Sequence, residues 1–190
     1  MSISKTIKTR PNLTKKEENM AEGNLLVSFD PVHEESAKAE ILGLLKEAKQ
    51  TAKVISISEG LAELSVKDPR KSVASLLEIA KKNIGKFKYT FNWWPVDKWC
   101  KADLAEMQKV IKKVQENIKK DEKWKMDLIK RKTVKDYGKD LIIRLTDVVD
   151  KPKVDLNNPQ KIIKVEIDGE RAGISLLTPE EILSVPKLKG

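Results

Sequence analysis

The chain has 190 residues with one cysteine and one histidine, a length that fits one large domain or two small ones. Cys100 alone excludes an internal disulfide and suits a reducing cytoplasm, and no apolar run nears the ~20 residues that span a bilayer. The formal charge of +9 is concentrated in residues 98–135, where thirteen Lys or Arg face six Asp or Glu, a field that draws polyanions such as nucleic acid.

Residues 1–22 are polar and aperiodic and are expected to form a disordered basic tail with no secretion signal. From Asn24 an order of elements emerges. LLVSFD (25–30) reads as a strand, and Glu35–Gln50 as a helix with Ala37, Ile41, Leu44, Leu45 and Ala48 on one face. KVISIS (53–58) and LAELSV (61–66) read as strands joined by a tight turn at Glu59-Gly60. Pro69–Ile84 is a second helix and KYTFNWW (88–94) a closing strand. Strand-helix-strand-strand-helix-strand is the order of a ferredoxin-like fold, assigned to residues 23–97.

Residues 95–101 read as an aromatic linker. Asp103–Lys120 is an amphipathic helix, with Leu104, Met107, Val110, Ile111, Val114 and Ile118 at helical spacing and lysines on the remaining face. Lys123–Lys132 follows as a basic strand, then a short helix near Gly138–Val149. KIIKVEI and RAGISLL form a hairpin turning at Asp168-Gly169. Thr178-Pro-Glu-Glu181 has the spacing of a capping box and predicts a short terminal helix. The fold class is therefore α/β (α+β), in two units with the second over residues 98–190.

The side chains offer little for catalysis. His33 has no Cys or His companion with which to build a zinc site, and it sits in a strand-to-helix loop. Lys98 and Lys101 flank Cys100, yet a small, partly buried thiol is the simpler reading. Neither G-x-G-x-x-G nor G-x-x-x-x-G-K-[ST] occurs. A metal-dependent nuclease could be built from Asp136, Asp140 and Asp147, but Asp140 and Asp147 fit helix-start and surface roles better. No catalytic, cofactor-binding or metal-binding residue is assigned.

What remains suits phosphates and bases. Lys130, Arg131 and Lys132 put three cations at the end of one strand, and an arginine can grip two phosphate oxygens at once. The same charges would also keep a bare sheet edge from aggregating. Trp93, Trp94 and Trp99 could stack on bases, but alternation on a strand that covers a core favours packing.

KWKMDLIKR, followed by VDLNNPQKIIKVEIDGERAGISLL, resembles the C-terminal half of a THUMP domain, an RNA-binding module of tRNA-modifying systems. The resemblance covers roughly Trp99 to Leu177 and implies a ferredoxin-like companion before it. It implies binding of the tRNA acceptor stem and its unpaired CCA end. The basic strand then supplies Lys125, Lys130 and Arg131, with Lys132 beside them. The loop before the hairpin supplies Asn157, Asn158 and Lys161.

The chain ends about a dozen residues after Leu177, as do the stand-alone THUMP proteins that assist tRNA cytidine acetylation. The expectation is thus a cytoplasmic tRNA-binding adaptor, not itself an enzyme, with no cofactor of its own. It would present tRNA to a separate RNA acetyltransferase. Service to thiolation or methylation, a general RNA-binding or ribosome-assembly role, and a metal-dependent RNA-processing enzyme are the alternatives.

Overall fold

In a computed structural model the structure describes residues 22–133 and 135–190. The basic tail expected over residues 1–22 lies, Glu22 apart, outside the described residues. β1 (Leu25–Phe29) is buried along its whole length because it has a strand on each side and side chains in two cores. Leu25, Val27 and Phe29 face α1 (Glu34–Glu47) and α2 (Pro69–Lys82), and Leu26 faces the opposite way. β2 (Ala52–Ser58), β3 (Leu61–Val66) and β4 (Thr90–Pro95) complete the sheet in the order β2-β3-β1-β4, all pairs antiparallel. This is the ferredoxin-like arrangement expected from the element order.

Local chemistry sets the junctions. Asp68 caps α2 by accepting from the Lys71 N–H at 3.1 Å, and Pro69 takes the first helical position, where no N–H is needed. Glu59 and Gly60 form the β2–β3 turn with φ of +50° and +84°, as a type I′ hairpin demands.

The second sheet runs β5 (Lys98–Lys101), β8 (Arg171–Leu177), β7 (Lys161–Asp168), β6 (Trp124–Arg131), with β6 parallel to β7 and the other pairs antiparallel. α3 (Leu104–Val114) and α4 (Leu141–Thr146) cover one face, where Met107, Ile111, Leu141 and Leu145 meet Ile163, Val165 and Ile167. The lysines of α3, Lys109, Lys112 and Lys113, stay on its solvent face. The β7–β8 hairpin differs from expectation by one residue. Asp168 pairs with Arg171 (β8 is Arg171–Leu177), so the two-residue turn is Gly169-Glu170. Gly169, at φ +65°, takes the first central position, the place where type II′ turns want glycine.

Two short strands escaped the sequence reading. Lys98–Lys101, read as linker, is β5 and pairs with β8. After a 3-10 turn at Pro179–Glu181, β9 (Leu183–Ser184) pairs with β4 and α5 (Val185–Lys189) follows. Leu183 and Val185 are buried in the core of the first sheet. The sequence reading kept residues 98–190 together, whereas the last residues return to the first unit.

The two units are closely joined. Leu26, Leu61, Trp94, Val96, Trp99 and Leu177 form a shared apolar cluster. Arg171 stacks 4.1 Å from the Trp99 ring and ion-pairs with buried Glu63. Arg70, from α2, donates to Asp97 at 2.8 Å, to the Leu176 carbonyl at 3.0 Å and to Glu181 at 3.1 Å. Among the described residues no helix is long and apolar enough to cross a membrane.

Candidate nucleic-acid interface

The parallel pairing of β6 with β7 separates the sequence-predicted residues into two groups. Lys161 lies opposite Trp124, at the start of the strands, and Arg131 lies opposite Asp168 at their far end. At about 3.3 Å per residue, Lys125 and Arg131 are about 20 Å apart along the strand. One group is therefore Asn157, Asn158 and Lys161 with Lys125 nearby. The other is Lys130, Arg131 and Lys132.

At the far end, Lys130 is exposed and forms no ion pair with any of the described residues. Arg131 donates from Nε to Glu166, whose side chain is fully buried. Burial pushes the Glu166 carboxyl above its ordinary range, and the Arg131 guanidinium opposes that shift. Only one Glu166 oxygen is bonded, and Oε2 has no partner among the described residues. Arg131 is thus anchored through Nε, and its two terminal nitrogens make no hydrogen bond within the described residues. Lys132, in the left-handed region at φ +41°, reaches across to the first unit. Its Nζ lies 3.3 Å from Ser58 Oγ and 3.3 Å from Glu59. A cleft of about 150 Å³ there is lined by Ser56, Ser58, Glu59, Arg131, Lys132 and Asp168, among others. Arg131 and Lys132 thus stand at a seam between two units, whereas Lys130 lies on the other face of β6, beside Thr133, Lys135 and Tyr137.

At the near end, Asp155 Oδ1 accepts from the Asn157 N–H at 3.0 Å and the Asn158 N–H at 2.9 Å. Lys123 adds an ion pair to Asp155 at 3.0 Å. These bonds, that to Asn158 foremost, hold the Asp155 carboxyl below its ordinary range. The resulting turn leaves both asparagine side chains exposed and without a hydrogen bond among the described residues. A group whose folded pKa is lowered supports the fold above its unfolded value, and that support is lost as pH falls through the folded value. Asp155→Ala is therefore expected to speed amide exchange at Asn157 and Asn158 severalfold near neutral pH. The wild type should approach the same exchange behaviour only below the ordinary carboxylate range. Equal exchange in both proteins at neutral pH would show that the backbone alone shapes the loop.

Lys125 pairs with Asp127 at 3.2 Å and Lys161 with Glu122 at 4.0 Å. Such partly exposed pairs contribute little, about 0–1 kcal/mol, so a phosphate can replace the carboxylate at small cost. The Arg131–Glu166 pair is different, because breaking it strands a buried carboxylate.

The other residues weighed in the sequence find plain structural roles. Trp93, Trp94 and Trp99 are all buried and pack rather than stack on a ligand. His33 Nδ1 lies 2.8 Å from Asp30 in an exposed loop. Burial pushes the Cys100 thiol up to about 11, more than offsetting neighbouring Lys98, so it is a poor nucleophile at neutral pH. Among the described residues no group of three or more His, Cys, Asp or Glu stands close enough to hold a metal ion.

Sequence reasoning missed Lys164. It is 7% exposed, on a strand buried on both faces, and its Nζ lies 4.5 Å from the centre of the Trp94 ring. The available signal was a lysine in the middle of an apolar run, KIIKVEI, where a solvated cation is out of place.

Known proteins place the chain as follows. No curated protein matches it. The chain is similar in structure to PH1313 from Pyrococcus horikoshii Ot3, with a TM-score of 0.55 at 13% identity, covering 81% of this chain and 54% of that one. It is also similar to a 4-thiouridine synthetase solved as an RNA complex with bound ATP (TM-score 0.53, 16% identity, 86% of this chain and 42% of that one). A third likeness is to a protein from Listeria monocytogenes str. 4b F2365, titled as a predicted N6-adenine-specific DNA methylase. Its TM-score is 0.51 at 11% identity, covering 87% of this chain and 42% of that one.

The chain thus spans about half, or less, of the length of these proteins. That corrects the expectation that it is not an enzyme. The fold occurs within a 4-thiouridine synthetase and a protein titled as a predicted methylase, so neither the point where the sequence stops nor the lack of a catalytic motif within it decides the question. At these identities the likenesses establish the fold. At the level of sequence, residues 101–177 match the family model described as THUMP domain, a stretch that takes in β6 to β8 and the helices α3 and α4.

Proposed function

We propose that this chain is the tRNA-holding part of a cytoplasmic tRNA-modifying system, binding the acceptor stem and its CCA end and presenting the tRNA to the modifying activity. The observation that carries the reading is the run of cations Lys130, Arg131 and Lys132 within the THUMP match, with Arg131 and Lys132 beside the first unit and Lys130 exposed on the other face of the strand. A structural relative solved with RNA bound supports it. Lys125 and the group Asn157, Asn158 and Lys161 extend the surface along the sheet toward its other end. Capture is electrostatic first, because phosphate contacts release counterions and fall steeply with salt. Polar side chains such as the two asparagines then serve unpaired bases.

The experiment is competitive binding of intact tRNA and tRNA trimmed of its CCA end, at two salt concentrations. Intact tRNA is expected to win, with weaker binding at higher salt. Equal binding of the trimmed species would sink the acceptor-end reading and leave a general RNA-binding role.

Within this reading the modification we favour is cytidine acetylation by a partner RNA acetyltransferase. Nucleoside analysis of tRNA from cells lacking this protein is expected to show loss of acetylcytidine. Loss of a thiolated or methylated nucleoside instead would transfer the reading to that chemistry.

A further inference from the structure

The face of the second sheet that meets the first unit carries a lysine where an apolar residue would pack more simply. On β7, Ile162 and Lys164 point toward the first unit, while Ile163 and Val165 point into the helical core. Lys164 is buried nearly as fully as its apolar neighbours, with its stem enclosed and its ammonium over Trp94. It forms no hydrogen bond or ion pair with any of the described residues. Its Nζ is not sealed, however. It opens into a cleft of about 270 Å³ between the units.

The lining of that cleft has a consistent chemistry. β6 contributes Lys125 and Asp127, β4 contributes Asn92, and the returning C-terminal segment contributes Ser184 and Lys187. Three lysines thus face one carboxylate, and that carboxylate already pairs with Lys125 at 3.2 Å. At about 30 Å³ of liquid volume per water, the space holds several waters or one tetrahedral oxyanion with part of its hydration. Burial lowers the Lys164 pKa against the opposing pull of Glu166 and Asp127, so the ammonium is under-compensated in the free protein. A cation over an indole recovers part of that deficit. A phosphate oxygen in the cleft would recover the rest with a charge-assisted hydrogen bond, while Asn92 and Ser184 offer neutral donors.

We infer that this cleft, built by Lys164, Lys125 and Lys187 between the two units, is a seat for a phosphate group of bound RNA. This deepens the RNA-binding reading above and rests on it for the identity of the occupant. The seat lies near the Asn157, Asn158 and Lys161 end of the surface, since Lys125 is paired with Ile162, next to Lys161. It involves the C-terminal return of the chain in binding, because β9 brings Ser184, and α5 Lys187, to the cleft.

The test is NMR of lysine-labelled protein. Protons near the Lys164 ammonium sit over an indole and should be shifted upfield by its ring current, so their signal stands apart and Lys164→Met identifies it. The Lys164 signal is expected to move in a saturable way with inorganic phosphate and with a short single-stranded oligoribonucleotide. Lys164→Met, and separately the exposed Lys187→Met for a variant with little risk to the fold, should weaken tRNA binding severalfold. Each should also lower the salt slope by about 1. If tRNA binds while the Lys164 signal stays still and both variants bind as wild type does, the seat is overturned and the RNA-binding reading stands. If phosphate moves the signal but the oligonucleotide does not, RNA is overturned as the occupant.

Discussion

Replacing Trp99 by alanine is expected to lower the unfolding free energy by about 3–5 kcal/mol, as loss of a large, buried aromatic side chain does. The indole is 8% exposed and belongs to the apolar cluster that joins the two units. Its Nε1 donates to the Gly23 carbonyl at 2.7 Å, tying β5 to the start of the first unit. Arg171 lies on its face and reaches Glu63 of β3, so the ring also positions that ion pair. The fit is tight on the remaining side. A Cβ at Gly173 would stand 3.1 Å from the indole and 3.2 Å from Val96, so any larger residue there requires the ring or Val96 to give by a few tenths of an ångström. Chemical denaturation of wild type and Trp99→Ala measures the difference. A loss below about 1 kcal/mol would assign the junction to the Arg70 contacts instead.

Joint replacement of Lys130 and Arg131 by alanine is expected to weaken tRNA binding by about tenfold or more, with a shallower salt dependence. Removing two cations that each meet a phosphate should flatten the slope of log affinity against log salt by about 1.5–2. The geometry assigns the two residues different work. Lys130 is exposed and unpaired among the described residues, so its removal should change stability by less than about 0.5 kcal/mol. Arg131 is held by Glu166, and its removal leaves a buried carboxylate with no hydrogen bond to any of the described residues. Unfolding measured alongside binding separates weaker RNA contact from a weakened fold, and Lys130→Ala alone isolates the phosphate contact. Unchanged affinity in the double variant would place the RNA surface elsewhere.

The sequence by itself determined the elements whose partners are local. The hairpin arms KIIKVEI and RAGISLL, the helical spacing from Leu104 to Val114 (beyond which the helix expected to Lys120 stops), Pro69 at the start of its helix, and the Glu59-Gly60 turn each carry their own signal. Backbone sterics and side-chain direction act over a few residues, so these were legible, as were the basic strand and the THUMP wording around Asn157 and Asn158. The Gly169 turn was misplaced by one residue, because Asp168-Gly169 and Gly169-Glu170 both suit a two-residue loop and only the pairing of Asp168 with Arg171 decides between them.

Tertiary structure alone decided what lies across the second face of each sheet. β5 and β9 are too short for any periodicity to show, and each exists because a distant strand offers free hydrogen-bonding groups. The environments of Lys164 and Glu166 follow from the same cause. Their strand reads as one sheet with one core, yet the first unit covers its other side and buries both charges. Burial of that kind depends on residues far apart in sequence, such as Trp94 and Lys164, meeting across the seam. No local pattern encodes such meetings, and they are where the proposed phosphate chemistry arises.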